Sequence, residues 1–360
     1  HMAPTSFEEF PSQDPSVAPL YRGFDKNVHS LPTNMKKYYS DMSIWDTHRT
    51  EMPWLALLDP DRASDMANSL LLMFKQGGDL PRWPMADGYT NCMIGTHAII
   101  ILVDSYLKGA RFDVNVAYEA MVQAATKVQA HAGRTDIEHY LAKGYVSYEA
   151  SSKSASETLE YAYDDWALGT FAKEVMNRPE DAAVFLNRSE NYRNVWAPGQ
   201  QFFCARSLNG SFDCPFTWLN VFDNTYVEGD AWHWRWFVPQ NPAGLISLFG
   251  SVPFFVDQLN LFMSRAADDP YNILPNPYYW AGNEPDIFAP WMFNFAGRPD
   301  LTQKWTRYQL KTQYSSKPDG LPGNDDFGTM SAWAIFASLG FYPQAGSDRY
   351  LVGSPMFSNV

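Results

Sequence analysis

An all-α fold, a ring of helical hairpins of the (α/α) toroid kind, is predicted by three observations. Apolar residues recur at helical spacing in about ten segments without a heptad repeat. Long loops dense in Gly, Pro, Asn and Trp separate these segments, and strand signals are confined to residues 202–216 and the stretch after Phe341. Long loops without structure of their own are uncommon unless they are functional, so the site is expected where they converge. A two-domain helical bundle is the structural alternative.

Residues 1–43 are rich in Pro, Ser and Asp with no sustained period and read as an irregular lead-in, in which His1-Met2 looks like the scar of a cloning site and tag. The helical domain is expected over residues 44–340. Met66, Leu70, Met73 and Phe74 share a helical face ahead of a Gly77-Gly78 stop, and Ala117, Met121, Ala124 and Val128 repeat the spacing. Ser154 and Glu157 have the spacing of a capping box, opening a helix whose Leu159, Ala162, Tyr163 and Trp166 lie together. Val184, Tyr192 and Val195 mark another helix, and Phe255, Leu259 and Phe262 a further one. Helices around 288–295, 301–312 and 330–339 follow. Asn209-Gly210 signals a hairpin whose symmetric two-residue turn would pair Cys204 with Pro215, so a Cys204–Cys214 bridge is the less favoured expectation. Residues 341–360 are expected to form a short extended tail.

The formal charge, 27 − 40 = −13, disfavours a nucleic-acid backbone or an anionic membrane surface as partner. No stretch approaches the roughly 20 apolar residues that span a bilayer, so membrane insertion is not expected. The 57 aromatic residues, 13 Trp, 20 Tyr and 24 Phe, exceed what the 19% charged content suggests for an ordinary surface. Most of them belong to a core, but Trp and Tyr also suit sugar rings, which offer apolar faces and hydroxyl rims. Three cysteines and seven histidines show no zinc spacing, and nucleotide-binding and serine-hydrolase signatures are absent. Two sequons, at Asn187 and Asn209, are compatible with a secreted or periplasmic protein.

Three acidic loops carry candidate chemistry. Glu228 and Asp230 stand among Trp232, Trp234 and Trp236, and a carboxyl group walled by indoles keeps its proton to higher pH, as a general acid requires. The plainer alternative pairs Glu228 with Arg235. Gly282-Asn283-Glu284-Pro285-Asp286 offers only oxygen donors, which suit a hard cation such as calcium, although first-turn capping would also explain it. Gly323-Asn324-Asp325-Asp326 precedes a helix and can cap it or activate a water. An acid at Glu228 with a base at Asp326 would make the pair of an inverting glycosidase. A fourth cluster, Trp45-Asp46-Thr47-His48-Arg49, and the segments around Trp83 and Thr90–His97 could grip sugar hydroxyls or simply pack the core.

These loops resemble glycoside hydrolase family 92, the calcium-dependent inverting exo-α-mannosidases. The likeness rests on Ser43-Ile44-Trp45-Asp46-Thr47, Leu80-Pro81-Arg82-Trp83, the run from Thr158 to Trp166, Glu228-Gly229-Asp230-Ala231-Trp232, Gly282-Asn283-Glu284-Pro285 and Gly323-Asn324-Asp325-Asp326-Phe327-Gly328. It extends from about Pro19 to Pro355, in family order. The resemblance implies an (α/α)6 toroid, incomplete if its first helix is missing, with Glu228 as general acid, Asp326 as general base and Asp325 beside it. It also implies Ca2+ held by Asn283 and Glu284 with a backbone carbonyl near Ala231, and Asp46 holding the terminal mannose. Trp45, Arg49, Trp83, Trp232, Tyr279 and Trp280 are the further residues of these loops expected at the sugar. The implied substrates are α-mannoside glycans, either N-glycans or mannan. The family's N-terminal β-sandwich and its C-terminal strand-rich segment have no counterpart here, so the chain is expected to be the catalytic module of something longer or one half of a split enzyme, partnering such a sandwich. The alternative is a mannose- or glycan-binding or structural module, inactive without that sandwich.

Overall fold

The structure is a computed structural model describing residues 4–7, 18–215, 217, 219–220, 225–268 and 275–359. The tag scar at His1-Met2, the end of the expected 202–216 hairpin and Val360 lie outside the described residues. In chain order the α-helices are α1 (Ile44–Thr47), α2 (Glu51–Leu58), α3 (Pro60–Gly77), α4 (Ala98–Leu107), α5 (Val114–Thr126), α6 (Ile137–Lys143) and α7 (Ser154–Glu174). They continue with α8 (Pro179–Arg188), α9 (Ala231–Trp234), α10 (Pro242–Leu248), α11 (Val252–Ala267), α12 (Pro299–Thr312) and α13 (Thr329–Leu339). Short 3-10 helices cover Asn191–Val195, Glu284–Asp286 and Ala289–Asn294.

Local chemistry accounts for the helix limits. Asp59 caps α3 by accepting from Arg62 N, Pro60 fills its first position, and Gly78 ends it in the left-handed conformation at φ 92°. Met66, Leu70 and Met73 form its buried face, as expected. On α5, Ala117, Met121 and Ala124 are buried, but Val128 lies past the end of the helix and is exposed. The expected Val184–Val195 helix is two elements: Val184 is exposed on α8, while Tyr192 and Val195 anchor the following 3-10 turn. The capping box at Ser154 does not form. Ser154 and Glu157 are both buried inside the first turn of α7, where Ser154 offers its carbonyl to Thr158 Oγ1.

The helices close into a toroid. α2 packs on α4, α4 on α7, and α13, the last helix, returns to α2. Side-chain hydrogen bonds mark the seams. Ser156 Oγ on α7 accepts from Val227 N ahead of α9, at 3.1 Å; Trp333 Nε1 on α13 donates to Ile287 O, at 2.9 Å; and Thr50 Oγ1, just before α2, donates to Thr329 O on α13, at 2.7 Å. Helices α3, α5, α8 and α12 pack against these inner elements.

Strand pairing is wider than the sequence suggests. Short antiparallel pairs join Leu20–Arg22 to Val28–Ser30, Thr5–Ser6 to Tyr39–Ser40, Pro84–Met85 to Gly88–Tyr89, and Trp196–Ala197 to Phe202–Phe203. Such two- and three-residue strands carry too little alternation to register as a period. The lead-in is also no loose appendage, because Tyr21 and Tyr38 stack within the main core. After Phe341 the chain folds back as Phe341–Pro343 paired with Tyr350–Val352, tied down by Tyr163 OH to Ala345 O and Gln344 Nε2 to Pro239 O, each at 2.7 Å. In the Asn209-Gly210 hairpin, Arg206 pairs with Phe212 and Ser207 N bonds Ser211 O, leaving a three-residue loop with Gly210 left-handed at φ 89°. That one-residue change of register sets Cys204 opposite Cys214, and the disulfide forms.

α7 is buried nearly all round, yet it carries four buried carboxylates, Glu157, Glu160, Asp164 and Asp165, the last three of which meet basic side chains. Asp165 accepts from Arg134, Arg188 and Tyr140; Asp164 accepts from Thr96 N and Oγ1 and contacts His97 Nδ1 at 2.7 Å; Glu160 accepts from Trp45 Nε1 at 2.6 Å and faces His97 Nε2 at 3.3 Å. Burial alone would lower the His97 pKa, but Asp164 and Glu160 on either side raise it to about 9 from 6.5. The contribution of the imidazolium to stability is therefore whole below pH 6.5 and fades as the pH rises through about 9. Urea unfolding at the two ends of this window should show the wild type losing on the order of 2–3 kcal/mol more than His97→Gln. Parallel losses in the two proteins would contradict this assignment.

Candidate active site

The inner elements present their N-terminal ends to one cleft of about 370 Å³, near the lower end of the roughly 300–1,000 Å³ usual for ligand pockets. Asp46 lies in α1, ahead of α2; Met93 precedes α4; Glu228 precedes α9; Asn283 caps the 3-10 turn Glu284–Asp286; and Asp326 precedes α13. The N-terminal ends of these elements thus lie around the carboxylates, an arrangement that favours negative charge where a helix is long enough to carry a dipole, as in α13.

Two glycines let the acidic loops touch. A Cβ on Gly282 would sit 2.4 Å from Pro322 O, and one on Gly323 would sit 2.9 Å from Gly282 O, so the loops meet backbone to backbone. Asn283 Nδ2 donates to Glu228 O, joining the third loop to them. His233 completes the tie: its Nδ1 accepts from Asp230 N at 3.0 Å, while Nε2 lies 2.8 Å from Asn276 O and 2.7 Å from Tyr278 O. Two carbonyl acceptors require the proton on Nε2, and burial holds the ring neutral by lowering its pKa to about 4. Backbone strain marks the same places. Glu228 (φ 44°), Asp326 (φ 46°) and Phe327 (φ 57°) are all left-handed, a conformation that non-glycine residues keep only where surrounding contacts enforce it.

The electrostatics are those of crowded like charges. One oxygen each from Asp46, Glu284 and Asp326 lie within 4.8 Å of one another. Burial first, then the Asp326 charge, raises Asp46 to about 7; burial, then Asp46 and Asp326, raises Glu284 well above the carboxylate range. Asp46 Oδ2 and Glu284 Oε1 are buried without a hydrogen-bond partner. An all-oxygen set with unspent lone pairs fits a hard divalent cation. Glu228 opens into the cleft, whose walls still desolvate it; that desolvation, followed by the Asp326 charge, raises its pKa. Trp83 and Trp280 supply aromatic walls.

The cleft thus gathers Asp46, Trp83, Glu228, Trp280, Asn283 and Asp326, with Glu284 joining them through the acidic cluster. Other expected residues lie behind it. Trp45 is buried on Glu160; Tyr279 is buried; and Arg49 is buried between the Trp45 and Phe237 rings. Trp232 packs against Phe202, Tyr278 and Arg235. Asp325 is engaged by Ser331 N and Oγ, a structural tie to α13. The Ala231 carbonyl accepts from Arg235 N within its helix. Arg235 donates to Gln201 O and Gln258 Oε1 and stacks on aromatic rings, so the alternative ion pair with Glu228 is not made. Sequence reasoning missed His233 as the clasp between loops. Its signal was Asp230-x-x-His233, a capping box with histidine in the usual glutamate place.

Residues 1–360 match the family described as glycosyl hydrolase family 92 catalytic domain. A family GH92 α-mannosidase from Bacteroides thetaiotaomicron superposes with a TM-score of 0.87 at 33% identity, covering 98% of this chain and 45% of that one; the same enzyme has been solved with mannoimidazole. An inverting GH92 mannosidase from Bacteroides thetaiotaomicron VPI-5482 gives 0.86 at 30% identity, over 99% of this chain and 49% of its own. An uncharacterized secreted glycosidase of Arthroderma benhamiae is 28% identical over 329 residues, 81% of this chain and 40% of that protein. The chain therefore spans less than half the length of these relatives.

Gly328 tests the strained loop. It has φ 101°, and a Cβ there would lie 3.0 Å from Glu51 Cγ. Gly328→Ala should cost more than about 1 kcal/mol in chemical denaturation. Unchanged stability would show that the loop tolerates other backbone conformations.

Proposed function

From the premise that the chain belongs to glycosyl hydrolase family 92, we propose that it carries the machinery of an exo-acting α-mannosidase that removes terminal α-linked mannose from N-glycans or mannan by calcium-assisted inversion. The observation that carries the reading is the meeting of Glu228 and Asp326 in one tryptophan-walled cleft above the Asp46–Glu284–Asp326 cluster.

Glu228, its pKa raised by desolvation, is the general acid: it keeps a proton and gives it to the departing glycosidic oxygen. Asp326, held by its strained turn, is the general base that takes a proton from the attacking water, with Asp325 bracing that turn through Ser331. Trp83 and Trp280 pack the apolar face of the sugar, and Asp46 accepts from its hydroxyls. Asp46, Glu284 and Asp326, with Asn283 next in the chain, would hold the cation. Calcium held there would supply a positive charge and a template for sugar hydroxyls. The inverting mannosidase among the similar structures supports this stereochemistry. The proposal includes a β-sandwich partner domain beside the cleft. It also includes export from the cytoplasm, which the Cys204–Cys214 disulfide and the secreted relative support.

Mannose release from α-1,2-, α-1,3- and α-1,6-linked mannobiose, followed by NMR, tests the reading. β-Mannose should form first, and excess EDTA should stop release. Glu228→Gln should slow hydrolysis of these poor leaving groups by roughly 10²–10⁴-fold, with a smaller loss on an activated aryl mannoside. α-Mannose as first product would rule out inversion, and full activity in EDTA would rule out the calcium role.

A further inference from the structure

Four carboxylates, Asp46, Glu228, Glu284 and Asp326, meet around the cleft, and one buried basic residue, Arg49, acts by its charge on Asp46, Glu228 and Glu284 alike; Lys153 adds to it at Glu228. Arg49 is fixed on several sides. Its Nε donates to Trp45 O at 3.1 Å, its guanidinium carbon stands 4.8 Å from the Trp45 ring and 5.1 Å from the Phe237 ring, and Nη2 lies 3.7 Å from Glu160 Oε1.

Arg49 nevertheless forms no direct ion pair with the cluster. Arg49 and Glu284 instead line a common interior cavity of about 20 Å³, room for a single water. Each keeps a buried polar atom without a hydrogen-bond partner, Arg49 Nη2, which has only the longer ion pair with Glu160, and Glu284 Oε1. A direct fork onto Glu284 would consume the oxygens that a cation needs. Without a direct contact the Arg49 charge still acts across this cavity and leaves those oxygens free.

We propose that Arg49 is the internal counter-cation of the acidic cluster, holding it together in the calcium-free protein and setting how tightly a divalent cation is taken up. The inference rests on reading Asp46, Glu284 and Asp326 as a cation site. Its sign follows from Coulomb's law: Arg49 favours the cation-free cluster and repels an arriving dication, so it weakens calcium binding while stabilising the calcium-free fold. A residue that served packing alone would, on removal, destabilise both states and leave affinity unchanged or weaker.

The test is calorimetric titration of EDTA-stripped protein with calcium chloride, together with melting in EDTA and in saturating calcium, for wild type, Arg49→Lys, Arg49→Gln and Arg49→Met. Arg49→Met and Arg49→Gln should bind calcium roughly tenfold more tightly and melt about 2–4 °C lower in EDTA, while saturating calcium restores most of the loss. Arg49→Lys, which keeps the charge, should stay near wild type in affinity. Unchanged or weaker binding by the neutral variants, or their failure to fold in saturating calcium, would overturn the proposal. No calcium binding by wild type would instead remove the cation-site reading beneath it.

Discussion

Mutual repulsion among crowded carboxylates, two buried and one half-buried, is the constraint on which the rest of the molecule depends. Asp46, Glu284 and Asp326 bring an oxygen each within 4.8 Å in surroundings that penalise charge. Such a cluster survives only if something outside it compensates. Three features do so: the N-terminal ends of the inner elements that line the cleft, the Arg49 guanidinium that shares a small cavity with Glu284, and an oxygen donor set suited to a hard dication. Desolvation by the cleft walls, followed by the Asp326 charge of the same cluster, also raises the Glu228 pKa, the direction that the proposed acid requires.

The toroid makes the crowding possible. Each acidic side chain comes from a different segment of the chain, and those segments share a place only because the last helix returns to α2, sealed by Thr50 Oγ1 on Thr329 O. Backbone-to-backbone contact at Gly282 and Gly323, with the His233 clasp, then sets the three loops in fixed relation. α7 supports the arrangement from behind: Glu160 holds Trp45 and stands beside Arg49, linking the buried charge network to the floor of the site.

Much of this was legible in the sequence, and the exceptions have physical reasons. Long apolar-periodic segments such as α3, α11 and α13 declare themselves because burial on one face needs a 3.6-residue repeat. Two-residue strands carry no such signal, and the Cys204–Cys214 register turned on one extra loop residue. Acidic loops were visible as motifs, but motif membership did not separate residues that face the cleft from those that brace it. Trp45, Arg49, Trp232 and Tyr279 sit in the right loops and point into the core; Asp325 and Asp326 are neighbours with opposite orientations, one tied to Ser331 and one open to the site. That distinction arises from tertiary packing and left-handed backbone at Asp326 and Phe327, which no local pattern encodes.

The central proposal is that the carboxylate cluster holds a divalent cation beside the tryptophans of the cleft. Terbium, a luminescent stand-in for calcium, tests it most directly, because an ion bound there lies near the Trp83 and Trp280 indoles and emits when they are excited. Saturable emission from one site per chain, displaced by calcium and lost in Glu284→Gln, is the predicted result. Absence of sensitised emission from folded protein, or emission that persists in Glu284→Gln, would contradict it.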